Sequence, residues 1–212
     1  MDLAADSYPD ALVLGDRLLV EIAEGDDATA LQGTEYFAPV LGVVSVPGTG
    51  QEFLDTAVAY ANEQLQGTLG ANLLIDPATE KKLGAGFDRS VAALHYGSIA
   101  INGWTAFGFI TPTLTWGAFP GSTIDDVGSG IGVVHNALLL DDVERSVVRG
   151  PFRPFPRSLP IANGGGPLTI LPKPPWFVSS RTGATVSEGL TRFRADGGVL
   201  GLLKTLTAAL RA

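Results

Sequence analysis

Cysteine is missing from this 212-residue chain, and histidine occurs only twice, at His95 and His135. The absence of cysteine excludes disulfide bonds, thiolate metal ligands and a cysteine nucleophile supplied by these residues. The two histidines lie far apart in the sequence and show no metal-ligand spacing. The sequence therefore predicts no metal site and offers no thiol for covalent catalysis.

Positive charge and long apolar runs are also scarce. Lysine and arginine number 14 against 22 aspartates and glutamates, so the formal net charge is -8. An acidic chain without a basic cluster is poorly suited to nucleic acid or an anionic membrane. No apolar run approaches the roughly 20 residues of a membrane-spanning helix, and the first residues lack the regions of a signal peptide. We expect a cytoplasmic protein that binds neither nucleic acid nor membrane.

The composition is that of a folded chain with a substantial core. Hydrophobic residues make up 45% of the chain and charged residues 17%. A chain of this length buries roughly 70% of its unfolded surface. Residues 1–10 should be frayed, and residues 151–175 read as a Pro- and Gly-rich winding connection. After this connection, the sequence of residues 187–212 predicts helical segments that are separated by Gly197 and Gly198.

Apolar periodicity between residues 40 and 102 predicts alternating strands and helices. Short connections join them, so an α/β layer with parallel strands is expected. The run 40–46 is typical of a strand buried on both faces. The predicted strands are 40–46, 69–75 and 98–102, and the predicted helices are 52–65 and 76–96. The second helix should start at the capping residue Asp76, followed by Pro77 in the first turn, and should be broken at Gly84 or Gly86. Two further strands are expected, one over residues 17–22 and one over residues 143–149 that leaves the core.

Within two of the helices, apolar spacing predicts which face is buried. The helix over residues 52–65 should bury a stripe formed by Phe53, Ala57, either Tyr60 or Ala61, and Leu65. In the last helix a stripe of leucines should pack on its own domain rather than on a membrane or a partner. Those leucines are Leu200, Leu203, Leu206 and Leu210.

Residues 35–40 read Glu-Tyr-Phe-Ala-Pro-Val and precede the first parallel strand. On extended backbone, residues two apart project to one side, so Glu35 and Phe37 should face the same way. Pro39 stiffens the chain and removes a donor. The segment can be a presentation loop, with Glu35 for polar contacts and Phe37 as a flat ligand surface. Alternatively, Glu35 is a solvated acid and Phe37 a core anchor.

Residues 103–121 form a long segment without evident periodicity. Its aromatic residues are Trp104, Phe107, Phe109, Trp116 and Phe119. Long loops within compact domains are usually functional or wrongly assigned. The aromatic residues can form the wall of an apolar pocket, or they can simply tether the loop by packing.

A glycine-rich turn follows at residues 128–132, Gly-Ser-Gly-Ile-Gly. Its spacing fits neither the dinucleotide fingerprint nor the P-loop. A tight turn before a helix or strand is favoured over a phosphate cradle. His135 and Asn136 are interpreted as turn and helix-edge groups rather than catalytic ones.

Six short motifs in order resemble the C-terminal part of the aldehyde dehydrogenase superfamily. That family shows an acid-x-Phe-Gly-Pro-Val segment, a helix ending in Ala-Asn, a Gly-Leu strand, a Gly-x-x-x-x-Asn strand, an aromatic-Gly-Gly turn and a Ser-Gly-x-Gly turn. The corresponding stretches are residues 35–40, 61–63, 67–71, 97–102, 116–118 and 129–132. The resemblance covers roughly residues 1–150. Ala38 and Ala118 depart from it where the family has glycine.

The resemblance implies a partial catalytic domain over residues 1–150, a mostly parallel sheet with helices on both faces. Residues 151–212 would be a Pro/Gly-rich connection and a helical extension. Glu35 would accept hydrogen bonds from the ribose hydroxyls of NAD or NADP, and Phe37 would pack beside the nicotinamide. Trp104, Phe107 and Phe109 would line the substrate tunnel. The family's catalytic cysteine, glutamate base and nucleotide-binding domain would all lie upstream, so no catalytic residue is assigned here.

These implications predict the C-terminal part of an NAD(P)-dependent aldehyde dehydrogenase, an oxidoreductase that converts a small-molecule aldehyde to a carboxylic acid. The chain alone would be inactive and would require a missing N-terminal portion or a partner chain, and the full enzyme would be a homo-oligomer. One alternative is a non-catalytic half-enzyme or pseudoenzyme subunit that docks on a partner. Another is an unrelated α/β binding domain.

Overall fold

A computed structural model describes residues 2–23, 25–152 and 180–209. The chain divides into two compact units, Met1–Phe152 and Arg153–Ala212. The winding connection expected over residues 151–175 lies mainly outside the described residues. The strands are β1 Leu12–Leu14, β2 Arg17–Ile22, β3 Val40–Val44, β4 Gly70–Leu73, β5 Ser98–Ile101, β6 Trp116–Gly117, β7 Val133–Val134 and β8 Ser146–Arg149. The helices are α1 Asp2–Ser7, α2 Thr29–Gly33, α3 Gln51–Gln64, α4 Pro77–Leu83, α5 Ala85–Ala93, α6 Ala106–Ile110, α7 Gly183–Asp196 and α8 Val199–Ala209.

The first unit is mixed α/β, and one of its sheets is wholly parallel. This sheet has the order β4-β5-β8, with Gly70 opposite Ser98 and Ser98 opposite Ser146. Every residue of the central strand β5 is buried. The α/β fold class is therefore confirmed at this level.

The core of the first unit lies between the parallel sheet and the helices α3 and α5. Its most buried large side chains are Phe87, Ile99 and Ile101. Side chains from α3 pack on this cluster through Leu54, Val58 and Ala61. The predicted stripe on this helix is correct at Ala61, which packs on this cluster, and wrong at its two ends, where Phe53 and Leu65 are each 40% exposed. The buried stripe of α3 is shifted toward Leu54 and Val58, because the parallel sheet packs against that side of the helix. Periodicity alone cannot show where the sheet lies.

Helix α4 begins where the sequence predicts a helix to begin. The Asp76 carboxylate accepts hydrogen bonds from the backbone amides of Ala78 and Thr79, at 3.0 and 3.1 Å. Pro77 occupies the first turn, where no amide donor is needed. The hydrogen bond with Thr79 lowers the pKa of Asp76. The expected break falls at Gly84, whose φ of 53° separates α4 from α5.

Asn102 joins the carboxyl ends of β4 and β5. Its amide donates to the Leu73 carbonyl at 2.8 Å, and its side-chain oxygen accepts from the Ile75 amide at 2.9 Å. Its φ is 53°, a left-handed conformation that asparagine tolerates better than most residues. The motif asparagine therefore closes this edge of the sheet.

Strand β3 does not join the parallel sheet formed by β4 and β5. It pairs in parallel with β2, and β2 pairs with β1 in antiparallel fashion. The expectation of one sheet through residues 40–102 is therefore wrong. Strand β2 itself is confirmed at residues 17–22. Strand β3 also has solvent-exposed positions at Leu41 and Val43, so it is not buried on both faces.

The β1-β2-β3 sheet has one covered face and one uncovered face. Leu18, Val20 and Ile22 are buried on the covered face together with Ala4 and Ala28. The opposite face carries apolar side chains that are 40–61% exposed. We call this set the apolar sheet face; its members are Leu12, Leu14, Leu41 and Val43.

Three other expectations are corrected. Residues 2–7 form helix α1, because Pro9 lies beyond the last turn and does not interrupt it. The strand expected to leave the core pairs instead with β5 as β8. The long aromatic loop contains helix α6 and strand β6.

The second unit contains a pair of packed helices, α7 and α8. As predicted, two glycines separate them: α7 ends before Gly197, and α8 begins after Gly198. Gly189 allows close approach, since a Cβ there would lie 2.8 Å from Thr205 Cγ2. Thr205 and Ala209 are buried, whereas Leu200, Leu203 and Leu206 are exposed. The predicted leucine stripe therefore does not form the packed face, and Leu210 lies outside the described residues.

Among the described helices, none combines the length and apolar character required to cross a bilayer.

Candidate functional site

The segment 35–40 is anchored at both ends and projects between them. Tyr36 packs against the core of the β1-β2-β3 sheet, and the Pro39 carbonyl accepts from the Leu18 amide at 2.9 Å. Between these anchors, Phe37 is 91% exposed and has a φ of 44°. A left-handed conformation is uncommon for a bulky residue and occurs frequently at functional sites. The alternative of Phe37 as a core anchor is therefore wrong.

Glu35 and Phe37 line the same cleft, which has a volume of about 370 Å³. The extended backbone expected from the sequence is absent at Phe37, yet the two side chains still share this cleft. Strands β2 and β3 form its floor, helix α3 contributes Tyr60, and Leu65 contributes from the residue that follows the helix. Gly42 allows Leu31 to pack closely on the floor of the cleft, because a Cβ at Gly42 would lie only 3.2 Å from Leu31 Cδ1.

Hydrogen bonds connect this cleft to α3. The Gln32 side chain donates to the Tyr60 hydroxyl at 2.9 Å, and the Gln66 amide donates to the Gln32 carbonyl at 2.9 Å. Glu35 itself is exposed. Among the described residues that line the cleft, none is a lysine or an arginine. The cleft therefore offers a carboxylate, tyrosines and apolar surface, but no cation for a phosphate.

The three predicted tunnel residues occupy a different part of the first unit. Trp104 and Phe107 pack edge to face, with ring centroids 6.3 Å apart. Phe109 packs edge to face on Trp116 at 5.7 Å instead. All three are between 39% and 51% exposed. Trp104, Phe107 and Phe109 are therefore not part of the lining of the cleft that contains Glu35 and Phe37.

The pairing of β6 with β7 assembles a second aromatic group. Trp116 lies opposite Val134, and the next residue, His135, places its ring 5.8 Å from that of Phe109. We call Phe109, Trp116 and His135 the aromatic-histidine cluster. Sequence reasoning did not combine these residues, because their proximity depends on a two-residue strand pair that periodicity does not reveal.

The glycine-rich turn fixes the position of this region. The Ser129 hydroxyl accepts from the Thr68 amide at 2.9 Å, and the Thr68 carbonyl accepts from both Gly97 and Phe119. Gly128, Gly130 and Gly132 all have positive φ, and β7 follows at once. The predicted tight turn before a strand is confirmed. In the part of the chain that the structure describes, no group of three potential metal-ligating side chains occurs.

Comparisons with known proteins add no relative to these observations. No protein-family model matches the chain, and no curated protein or solved structure matches it at a significant level. The assignment of function therefore depends on the motifs and on the geometry of the two sites.

Proposed function

We propose that this chain is the C-terminal part of an NAD(P)-dependent aldehyde dehydrogenase and is inactive by itself. The observation that carries the proposal is the cleft shared by Glu35 and Phe37 at the head of β3. A carboxylate beside an exposed aromatic ring suits the ribose hydroxyls and the flat ring of a nicotinamide riboside. By the resemblance to the family, these two positions would contact that part of the cofactor.

The charges that line the cleft favour the nicotinamide riboside of the cofactor over its pyrophosphate. Charge-assisted hydrogen bonds from hydroxyls to a carboxylate are short and strong. Phosphates bind where cationic side chains or helix N-termini converge, and the described cleft lining holds no lysine or arginine. The pyrophosphate would therefore contact the nucleotide-binding region that this proposal places upstream. The hydride chemistry would be supplied by the cofactor.

The chain contains no cysteine, so the proposed nucleophile must come from another segment or another chain. In the assembled enzyme, that thiolate would add to the aldehyde carbon to give a thiohemiacetal. Loss of a hydride from that carbon to NAD or NADP would leave a thioester, which water would then hydrolyse. The residues of this chain would hold and orient the nicotinamide. Trp104, Phe107 and Phe109 would contact the aldehyde once the remaining domain is present.

Replacing Glu35 with glutamine tests the cofactor role in a longer protein encoded from upstream of Met1. Loss of the hydrogen bonds to the ribose should raise the KM for NAD or NADP, or reduce kcat/KM, by roughly 10- to 100-fold, because hydrogen bonds to a charged group contribute about 1.5–3 kcal/mol. The measurement is steady-state formation of reduced cofactor. Glu63→Gln makes the same change at an exposed position of α3 and should have little effect. Equal kinetics for the two variants would refute the role of Glu35.

A second candidate function is favoured by the apolar sheet face. Four large apolar side chains share one face of the β1-β2-β3 sheet and remain 40–61% exposed. The strand register also places Arg17 beside Leu14 and Glu21 beside Val43 on this face. Exposed apolar side chains that share a face commonly mark interaction sites. In this case the chain would be a non-catalytic half-enzyme or pseudoenzyme subunit, and the occupant of the face would be the partner that completes the catalytic domain.

Leu41→Gln combined with Leu14→Gln tests that second candidate. The purified chain should bind an apolar fluorescent dye and self-associate in size-exclusion chromatography, because the face is uncovered. The double variant should lose most of both properties. Ile124→Gln, at a residue 86% exposed elsewhere, serves as the control and should change neither. A monodisperse wild-type monomer with dye binding equal to that of the double variant would count against docking at this face.

A further inference from the structure

The charges of the chain are divided unequally between its two units. Met1–Phe152 contains six lysines and arginines against 20 aspartates and glutamates, a formal net charge of -14. Arg153–Ala212 contains eight against two, a formal net charge of +6. The expectation that the chain avoids anionic surfaces depended on the charge of the whole chain, which conceals this basic second unit. At physiological ionic strength the Debye length is about 8 Å, so a surface is affected mainly by the charges of the unit that touches it.

Half of the cations in the second unit belong to residues that the structure describes, and they are accessible. Arg181, Arg192, Arg194 and Lys204 are all exposed. Arg192 pairs with Glu188 at 2.6 Å, but the two side chains are 74% and 64% exposed. A pair so open to water is weak, so Arg192 can exchange Glu188 for another anion.

Helix α8 has a buried side and an uncovered apolar side. Thr205 and Ala209 are buried, and Thr205 lies against Gly189 of α7. The uncovered side carries large apolar side chains that are between 49% and 85% exposed. We call this set the α8 apolar face; its members are Val199, Leu200, Leu203 and Leu206. Exposed apolar side chains that share one helix face indicate an interaction surface.

A cation borders the α8 apolar face. Lys204 follows Leu203 and therefore lies about 100° around the helix from it. Its aliphatic stem can lie along apolar surface while its ammonium group reaches a polar headgroup. Helix α8 contains no acidic residue that an anionic surface would repel. Helices with an apolar face and bordering cations lie in the membrane interface, and anionic lipids strengthen their binding.

We infer that the second unit binds the surface of an anionic membrane, with the α8 apolar face inserted between the lipid headgroups and the cations of Arg153–Ala212 facing the anionic lipids. With 11 residues, α8 would be about 16 Å long, roughly half the thickness of the hydrocarbon core, so it would lie in the interface. A nucleic acid would occupy the cations but leave the leucines in water. A second copy would bring two units of like charge together.

Flotation of the intact 212-residue chain with extruded vesicles is the first measurement. One set of vesicles is pure phosphatidylcholine, and the other is a two-to-one mixture of phosphatidylcholine and phosphatidylserine. The partition coefficient should be at least about tenfold larger for the anionic vesicles, because each cation near the surface contributes about fivefold. It should fall at 1 M salt, where the Debye length is about 3 Å.

Leu200→Gln combined with Leu203→Gln tests the α8 apolar face. This double variant should partition into the anionic vesicles at least about tenfold more weakly, because two leucine side chains no longer leave water. Leu14→Gln combined with Leu41→Gln makes the same change on the apolar sheet face of the first unit and should leave the partition coefficient unchanged.

Lys204→Gln tests the bordering cation. It should weaken partition into the anionic vesicles about fivefold. Lys82→Gln, at an exposed lysine of α4, is its matched control and should have no effect. Circular dichroism shows whether each variant is folded.

The inference would be overturned by no binding to either kind of vesicle, by equal partition into the two, or by equal losses in the two double-leucine variants. An unchanged partition coefficient for Lys204→Gln would also contradict it. So would binding of a DNA duplex without binding of vesicles, or a dimer that Leu200→Gln with Leu203→Gln dissociates while vesicles are not bound. If the variants do not fold, the comparison of the two lipid compositions still decides. The Glu35 cleft belongs to the first unit, so the outcome of its kinetics is separate from this one.

Discussion

Gly97→Ala should lower the free energy of unfolding of the first unit by about 3 kcal/mol or more, the upper range for forcing an added methyl into a packed interior. Gly97 is buried immediately before β5. An added Cβ would lie 2.5 Å from the carbonyl carbon of Ala118 and 2.6 Å from its oxygen. These are backbone atoms, so no side-chain rotation can relieve the overlap.

The surroundings of Gly97 cannot move independently. Its amide donates to the Thr68 carbonyl and its carbonyl accepts from the Ser146 amide, both at 2.9 Å. Displacement of Gly97 would therefore disturb β4, β8 and the Trp116–Ala118 turn together. The motif glycine is required because three backbone segments meet at one residue.

Urea unfolding followed by circular dichroism measures this effect. Gly103→Ala is the matched control, because a Cβ there would meet nothing closer than 3.8 Å. The control should differ from wild type by no more than about 0.5 kcal/mol. A Gly97→Ala protein as stable as the control would show that the turn does not pack on Gly97 as described.

Arg145→Met should reduce the free energy of unfolding by about 3 kcal/mol, because it leaves the carbonyl of Ala92 and the partly buried carbonyl of Leu94 without their side-chain donor. Nη1 of Arg145 donates to the carbonyls of Val91, Ala92 and Leu94 at 3.3, 2.5 and 2.7 Å. The guanidinium thus closes the C-terminal end of α5, where a cation is also favoured by the helix dipole. Methionine preserves much of the side-chain volume while removing the charge and the donors.

Two further contacts strengthen this expectation. The guanidinium carbon lies 5.0 Å from the centroid of the Phe119 ring, and the His95 ring stacks on the same Phe119 ring with centroids 4.9 Å apart. The Arg145 side chain is only 15% exposed. The arginine therefore connects α5, the segment before β8 and the aromatic loop.

Arg17→Met is the comparison for Arg145→Met. Arg17 pairs with Asp16 at 3.7 Å, but its side chain is 76% exposed. Exposed ion pairs contribute about 0–1 kcal/mol, so this variant should remain close to wild type. If the two methionine variants unfold at the same urea concentration, the helix-closing role of Arg145 is wrong.

Local signals in the sequence predicted the local features of the fold. Asp76 and Pro77 identify a helix start because their capping chemistry involves only neighbouring residues. Gly84 and Gly197 identify helix ends for the same reason. The partner of β3 could not be predicted in this way, because an apolar run specifies a strand but not which strand it pairs with. The continuous β-branched run therefore suggested burial on both faces, whereas Leu41 and Val43 lie on an uncovered face.

The same difference between local and long-range contacts decides which parts of the candidate sites could be predicted. Glu35 and Phe37 are two residues apart, so the sequence could associate them, although it could not reveal the φ of 44° at Phe37. Phe109 and His135 are brought together by the pairing of Trp116 with Val134, which depends on two short strands. The sequence grouped Phe109 with Trp104 and Phe107 by composition, whereas the fold places it with Trp116 and His135.

The most direct test of the proposed aldehyde dehydrogenase is aldehyde-dependent reduction of NAD or NADP, measured on two proteins. One is this 212-residue chain, and the other is the longer protein expressed from genomic DNA that includes the sequence upstream of the Met1 codon. We expect no turnover from the chain alone, since it contains no cysteine, and clear turnover from the longer protein, which should supply the cysteine and the nucleotide-binding region. Turnover by the chain alone, or none by the longer protein with any aldehyde, would contradict the proposal.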